Sequence, residues 1–367
     1  MNKLIQIIGC VMILIAPLMA EPMITISGSA LSGLSNYNQA KNDVFYSQFE
    51  TAANLVFDVE LNQAVQASLD VGIGGDQNQT GYSQGVSLSS TALIFKPSLD
   101  AGVFGGNITE FKLGNQTIPY GQFAEMQTSN SYVPSPFLIN DLGYALLSAG
   151  ADVTDFSGTG VQTTFEGKQD TQIDAMVFNG TNGTDNNVDQ GFGWALRAKV
   201  KPFGSHTILG VSWLSVNDRT EASSEGINAD LRGIIVDIKT NINDLTFGGY
   251  ISFLNANDFD TNTKDDANVL MVYVSRTIEN LTLSGRYSIY KPGHYKGLGN
   301  GSDGLRPINV GFGDVTGDVE VVRIQAAARV EFMENITLNN ELVFDSYGKN
   351  REDFNTTALI SYASISF

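Results

Sequence analysis

The chain has 367 residues, with 39 acidic side chains against 21 Lys and Arg, a formal net charge of −18 and a single Cys. So acidic a balance argues against nucleic acid as a partner, because phosphate binding needs clustered Lys and Arg, and one Cys excludes an internal disulfide framework or a cysteine-held metal. Mean hydropathy is −0.04, while Gly (38), Phe (21) and Tyr (13) are frequent and Pro (9) is sparse, a mixture suited to strands with one apolar and one polar face.

Residues 1–20 open with Met1, Asn2 and Lys3, continue as an apolar run over 4–19 and end on Ala20. A basic start, a short apolar core and a small residue before the cut make a secretory signal. The run is at the short limit for a spanning helix, and no second apolar segment follows it. The expected layout is a signal over 1–20 and a single domain over 21–367, with Cys10 leaving in the signal. Ile7-Ile8-Gly9-Cys10 has the look of a lipoprotein box but lies too close to Met1 for an apolar core to precede it.

Beyond the signal, period-two alternation recurs along the whole chain. Val322, Ile324, Ala326, Ala328, Val330 and Phe332 make one face, and Arg323, Gln325, Arg329 and Glu331 the other. A helix would scatter those charges around its circumference. Such segments predict about sixteen strands, near 24–36, 47–60, 63–74, 86–96, 106–114, 158–168, 171–179, 190–201, 205–217, 227–240, 243–255, 266–277, 280–290, 318–332, 335–346 and 355–367. Short turns, for example at Leu61-Asn62, Gln169-Asp170 and Met333-Glu334, alternate with long polar stretches such as 75–85, 180–189, 255–265 and 290–317. That rhythm predicts an all-β, transmembrane antiparallel barrel with tight periplasmic turns and longer external loops. Trp194 and Trp213 stand at similar distances from the turn around Phe203, so they are expected as neighbours in an aromatic belt.

The longest connection, 115–158, follows the fifth strand and carries no clear periodicity. A loop of this length inside a compact domain calls for a function. Sixteen strands, a long loop after strand five, and an ending of alternate apolar residues through Ile365 to Phe367 together resemble the Gram-negative outer-membrane porins. The stretch from Phe111 to Gly121 is similar to the strand-to-loop passage of their phosphate-selective branch, but 115–158 contains no Lys or Arg, so phosphate selectivity does not follow. The resemblance implies a passive channel in the outer membrane, a third loop folded into the lumen, a homotrimer, and small hydrophilic solutes or ions as cargo. It also implies contact with outer-membrane lipid and lipopolysaccharide, and recognition of Ile365 and Phe367 by the barrel assembly machinery. No cofactor or metal is expected.

If the connection enters the lumen, Glu125, Asp141, Asp152 and Asp155 give the constriction a negative field that favours cations. Arg197, Lys199, Arg232, Arg286, Arg323 and Arg329 are expected to face them from the wall, or to pair with inward acids such as Asp174 and Glu341. The acidic run around Asp258 and Asp260 lacks the glycine and glutamate of a calcium loop. His206 and His294 fall on opposite ends of the expected barrel, too far apart to share a catalytic site. The competing reading is a barrel of the same strands with a closed lumen, serving as an adhesin or receptor.

Overall fold

The structure, a computed structural model of the chain, describes residues 23–39, 44–62, 64–78, 81–97, 99–100, 106–121, 157–168, 170–179, 192–218, 229–258, 263–291, 321–347 and 355–367. Sixteen spanning strands follow one another: β1 (Met23–Gln39), β2 (Val44–Asn62), β3 (Val65–Asn78), β4 (Gly81–Phe95), β5 (Asn107–Thr117), β6 (Ser157–Glu166), β7 (Gln172–Asn179) and β8 (Phe192–Val200), then β9 (Thr207–Asp218), β10 (Ala229–Ile242), β11 (Leu245–Asp258), β12 (Thr263–Ile278), β13 (Leu281–Lys291), β14 (Val321–Met333), β15 (Ile336–Tyr347) and β16 (Thr356–Ser366). Two short extended pieces, Leu99–Asp100 and Pro202–Ser205, lie beside short turns.

Every strand pairs antiparallel with the next, and β16 pairs back onto β1 from Ser29↔Ser366 to Gln39↔Thr356. Gly28 and Phe367 seal the seam with reciprocal backbone bonds of 2.9 and 3.0 Å. The sheet therefore closes into a barrel and leaves no edge strand.

The short turns place Asp170 (φ 54°), Asn243 (φ 52°), Glu279 (φ 54°) and Asn335 (φ 71°) in the left-handed region. Asn and Asp tolerate that region better than most residues because their side chains bond the local backbone.

The strands reach further into the long connections than polarity suggests. The polar stretch 75–85, expected as a loop, is largely a ladder in which Gly75↔Gln84 and Asn78↔Gly81 pair. Likewise Asn257↔Lys264 and Asp258↔Thr263 extend β11 and β12 into 255–265. The ladder is made by backbone groups, so it continues where the side chains turn polar.

On β10, Ile234 is 50% exposed and Ile235 0%, and Val236 is 45% exposed and Asp237 1%. Odd and even positions thus face opposite sides of the wall, and the exposed set is apolar. Val211, Val272, Ile324 and Leu342 continue this outer band on other strands. A soluble protein rarely exposes apolar surface on this scale, whereas a bilayer-spanning barrel requires it. Trp194 and Trp213 meet on the same face with ring centroids 4.4 Å apart in an edge arrangement of 73°, so the two indoles are neighbours as their spacing implied.

Candidate functional site

The inner face of the wall has three parts. Over β5–β8 it is polar and borders a cavity of about 610 Å³. Over β7–β12 it carries buried apolar side chains, among them Phe178, Leu214, Val216, Ile235 and Met271. Over β13–β15 it is polar again, with Arg286, Arg323, Gln325 and Glu341 buried, and Gln325 Nε2 donating to Glu341 Oε2 at 2.8 Å.

The period-two alternation predicts an outer apolar and an inner polar face, and this apolar part of the inner face departs from it. Some of its larger side chains rest over glycines on the neighbouring strand. Phe178 lies opposite Gly193, where a Cβ would come 2.2 Å from the ring. Tyr273 lies opposite Gly248 in the same way, at 2.4 Å.

The long connection begins inside this barrel. After β5 the chain passes through Ile118, Pro119 and Tyr120, and Ile118 and Tyr120 are both 0% exposed. Tyr120 N donates to Ile118 O at 2.8 Å, closing a tight turn on Pro119, whose ring fixes φ near the value such a turn needs. Gly121 follows with φ 71°, a conformation that suits glycine because it has no Cβ.

Three contacts tie this root to distant strands. Tyr120 Oη and Ser252 Oγ on β11 are 3.3 Å apart, and Gly121 N donates to Ser212 Oγ on β9 at 2.9 Å. Arg197 on β8 donates through Nη1 to Gly121 O. The root thus crosses from β5 to the inner face of β8–β11 instead of running out over the rim.

Arg197 is itself held. Its Nη2 lies 3.2 Å from Asp237 Oδ1, with the two side chains 1% and 0% exposed. Asp237 pairs with Gly210 across β9 and β10, and a Cβ on Gly210 would come within 2.5 Å of its carboxylate. Gly210→Val is therefore expected to displace Asp237 and lower stability by about 1–3 kcal/mol, read as a lower urea midpoint. An unchanged midpoint would show that the carboxylate does not need that space.

Two ion pairs border the cavity. Lys112 Nζ lies 3.0 Å from Glu110 Oε1, and Lys199 Nζ 3.9 Å from Asp174 Oδ2. Asp174 also accepts from Thr164 Oγ1 at 2.8 Å and from Gln172 Nε2 at 2.9 and 3.0 Å.

Of the residues expected on the pore wall, Arg197, Arg286 and Arg323 are buried on the inner face. Lys199 lines the cavity, and Arg329 shares the inner parity of Arg323 and Gln325 on β14. Arg232 does not join them. It is exposed and shares the parity of Ile234, Val236 and Ile238, so it belongs to the outer face. Glu125, Asp141, Asp152 and Asp155, expected at the constriction, lie outside the described residues.

Sequence reasoning missed Tyr120, Gly121, Ser212, Asp237 and Ser252. Tyr120 and Gly121 end the stretch that resembles a porin strand-to-loop passage, and Asp237 stands out as one acid within the apolar run from Ile234 to Ile238, while Ser212 and Ser252 carry no signal.

No protein-family model matches the chain, and no curated protein matches it by sequence. Solved structures do. The anion-selective porin of Comamonas acidovorans superimposes with a TM-score of 0.64 at 12% identity, covering 95% of this chain and 100% of that one. Salmonella typhi OmpF gives 0.63 at 13%, covering 94% and 97%. OmpT, an outer-membrane protein of Vibrio cholerae in its trimer form, gives 0.60 at 12%, covering 95% and 100%. The fold is that of the sixteen-stranded outer-membrane porin barrel.

Proposed function

We propose that the chain is an outer-membrane diffusion channel through which small hydrophilic solutes and ions pass without chemistry. The observation that carries this reading is a closed barrel, apolar outside, that borders a polar cavity of about 610 Å³ beneath the root of its longest connection. The porin names of the superimposed structures support it.

In this reading the rest of the 115–158 connection narrows the bore and brings Glu125, Asp141, Asp152 and Asp155 to the path. The course of Ile118–Gly121 into the barrel supports that placement. Acids without a base in that segment attract cations where low-dielectric walls focus their field, with Arg286 and Arg323 on the inner face of the wall as the opposing charges, while Arg197 is spent on Asp237. The protein is exported by the signal over 1–20, inserted by the barrel assembly machinery that reads Ile365 and Phe367, and assembled as a trimer among outer-membrane lipid and lipopolysaccharide.

Single-channel recording in a planar bilayer tests this. Folded protein is expected to conduct, with a reversal potential favouring the cation in a KCl gradient. Changing the four acids to Gln or Asn should bring that potential severalfold closer to zero with assembly intact. A potential favouring chloride in the unaltered protein would refute the cation preference. The apolar inner arc over β7–β12 favours one rival, a closed-lumen receptor or adhesin, and the absence of any current from folded protein would decide for it.

A further inference from the structure

Arg232 stands on the outer face, where a charge has no part in conduction. Across the strands it shares one row with Trp194 on β8, Ser215 on β9 and Asn255 on β11. The next outward row toward the short turns holds Trp213, Ile234 and Phe253, which are 46, 50 and 50% exposed. Polar and apolar rows thus meet between Arg232 and Ile234. Further along β10 the apolar row runs through Val236 and Ile238 to Thr240. Arg232 and Thr240 are roughly 26 Å apart along the strand, or roughly 20 Å in height at a ~40° tilt, close to the ~25 Å apolar band of such barrels. Arg232 therefore marks the border of the hydrocarbon on the side of the long connections, at the depth of lipid headgroups.

A guanidinium at that border carries five N–H donors and keeps its charge. Among the described residues no hydrogen bond or ion pair engages it. Its direct cross-strand neighbours, Ser215 and Asn255, are uncharged. The acids nearest by register are Asp230 on β10 and Asp266 on β12, roughly 7 and 10 Å away along and across the sheet. Neither replaces a mobile acceptor that takes two donors side by side, as phosphate oxygens do. Trp213 lies diagonally from Arg232, roughly 7–8 Å away by backbone, and meets Trp194 with ring centroids 4.4 Å apart. The two indoles offer a flat surface, apolar in body and polar at the N–H, at headgroup depth.

We propose that Arg232, Ser215, Trp194 and Trp213 form a binding site on the outer wall for a phosphate carried by the headgroup of an outer-leaflet glycolipid. The inference rests on the outer-membrane placement and is independent of solute passage. A free phosphate would engage Arg232 alone, whereas a lipid-borne one also lays its acyl chains on Ile234 and Phe253. Arg276 is outward on β12 at the opposite border, beside the short turn before Leu245, so it meets the other leaflet and serves as the comparison.

Both tryptophans of the chain lie in this site, so their emission reports its occupancy. The full-length barrel, folded in detergent with EDTA to remove bridging divalent ions, is titrated with bisphosphorylated lipid A and with the dephosphorylated form. The phosphorylated lipid is expected to reach half-saturation at about tenfold lower concentration, the scale of one charge-assisted hydrogen bond. Arg232→Met should abolish that preference, Arg232→Lys should retain part of it, and Arg276→Met should leave it whole. Equal half-saturation in the unaltered protein overturns phosphate recognition, and a preference that persists in Arg232→Met overturns the assignment to Arg232. Inorganic phosphate that displaces the lipid at comparable concentration overturns the lipid in favour of a free anion. No emission change with either lipid overturns the site, and dissociation of Arg232→Met protomers would then give this face to a second copy. Should Arg232→Met fail to fold, Arg232→Lys and the two-lipid comparison in the unaltered protein decide. None of these results touches conduction, so the channel reading stands or falls separately. A barrel that stays folded and soluble without detergent overturns the membrane placement itself.

Discussion

Arg197→Met is expected to lower the stability of the barrel by about 3–5 kcal/mol, because it strips a buried carboxylate of its counter-charge. Asp237 is 0% exposed at its side chain and lies 3.2 Å from Arg197. The same change removes the donor to Gly121 O, so the root of the long connection loses one of its three ties. Stability and anchoring can be separated. The double variant Arg197→Met/Asp237→Leu replaces the ion pair with apolar groups and should recover most of the lost stability, while the donor to Gly121 stays absent. Urea titration reads the first effect, and open-channel noise in a planar bilayer reads the second. If the single variant unfolds at the same urea concentration as the parent, the pair contributes nothing net. If the double variant is as quiet as the parent, Arg197 does not restrain the connection.

The next largest effect is expected on the opposite side of the wall. Val236 is 45% exposed in the middle of the outward row of β10, between Ile234 and Ile238. An arginine there sits in hydrocarbon and costs about 2–4 kcal/mol. Gln162→Arg, on the cavity wall, should change stability by about 0.5 kcal/mol or less, because the new charge stays in water. Folding into lipid vesicles under urea compares the two. Equal costs would contradict the assignment of faces on which the whole transport reading stands.

The barrel was legible in the sequence because its dominant constraint is local. A wall with lipid on one side must place apolar residues at every second position, as Val322 to Phe332 do. The rhythm of short and long links then fixed strand order and direction. What the pattern could not carry were features made by backbone or by the third dimension. The ladder from Gly75 to Asn78 is invisible to hydropathy, since its residues are polar and its bonds are main-chain.

The face of Arg232 is hard to read from sequence because the adjoining run from Gly233 to Val236 is apolar at both parities, with Ile234 outside and Ile235 inside. Charge alone was then a poor guide, and counting back from Val236 would have placed it correctly. The inner apolar arc is hidden because Leu214 and Val216 alternate with Ser215 and Asn217, a pattern that by polarity alone puts the apolar pair on the lipid side, whereas both are buried inside. The anchoring of the long connection joins Tyr120 to Ser252 and Gly121 to Ser212. Neither pair has a sequence spacing that announces it, and serine is unremarkable on any strand.

The seam between β1 and β16 governs how the molecule forms. Every other neighbouring pair of strands is consecutive in the chain and can zip from its own connection, but Ser29 meets Ser366 only when the two halves of the polypeptide come together. That step bears the closure entropy of the longest possible loop, and pairings between remote segments are the slow ones in folding. Until it occurs, two sticky borders remain open to other chains. A single late encounter therefore sets both the pace of maturation and the window in which aggregation competes with it.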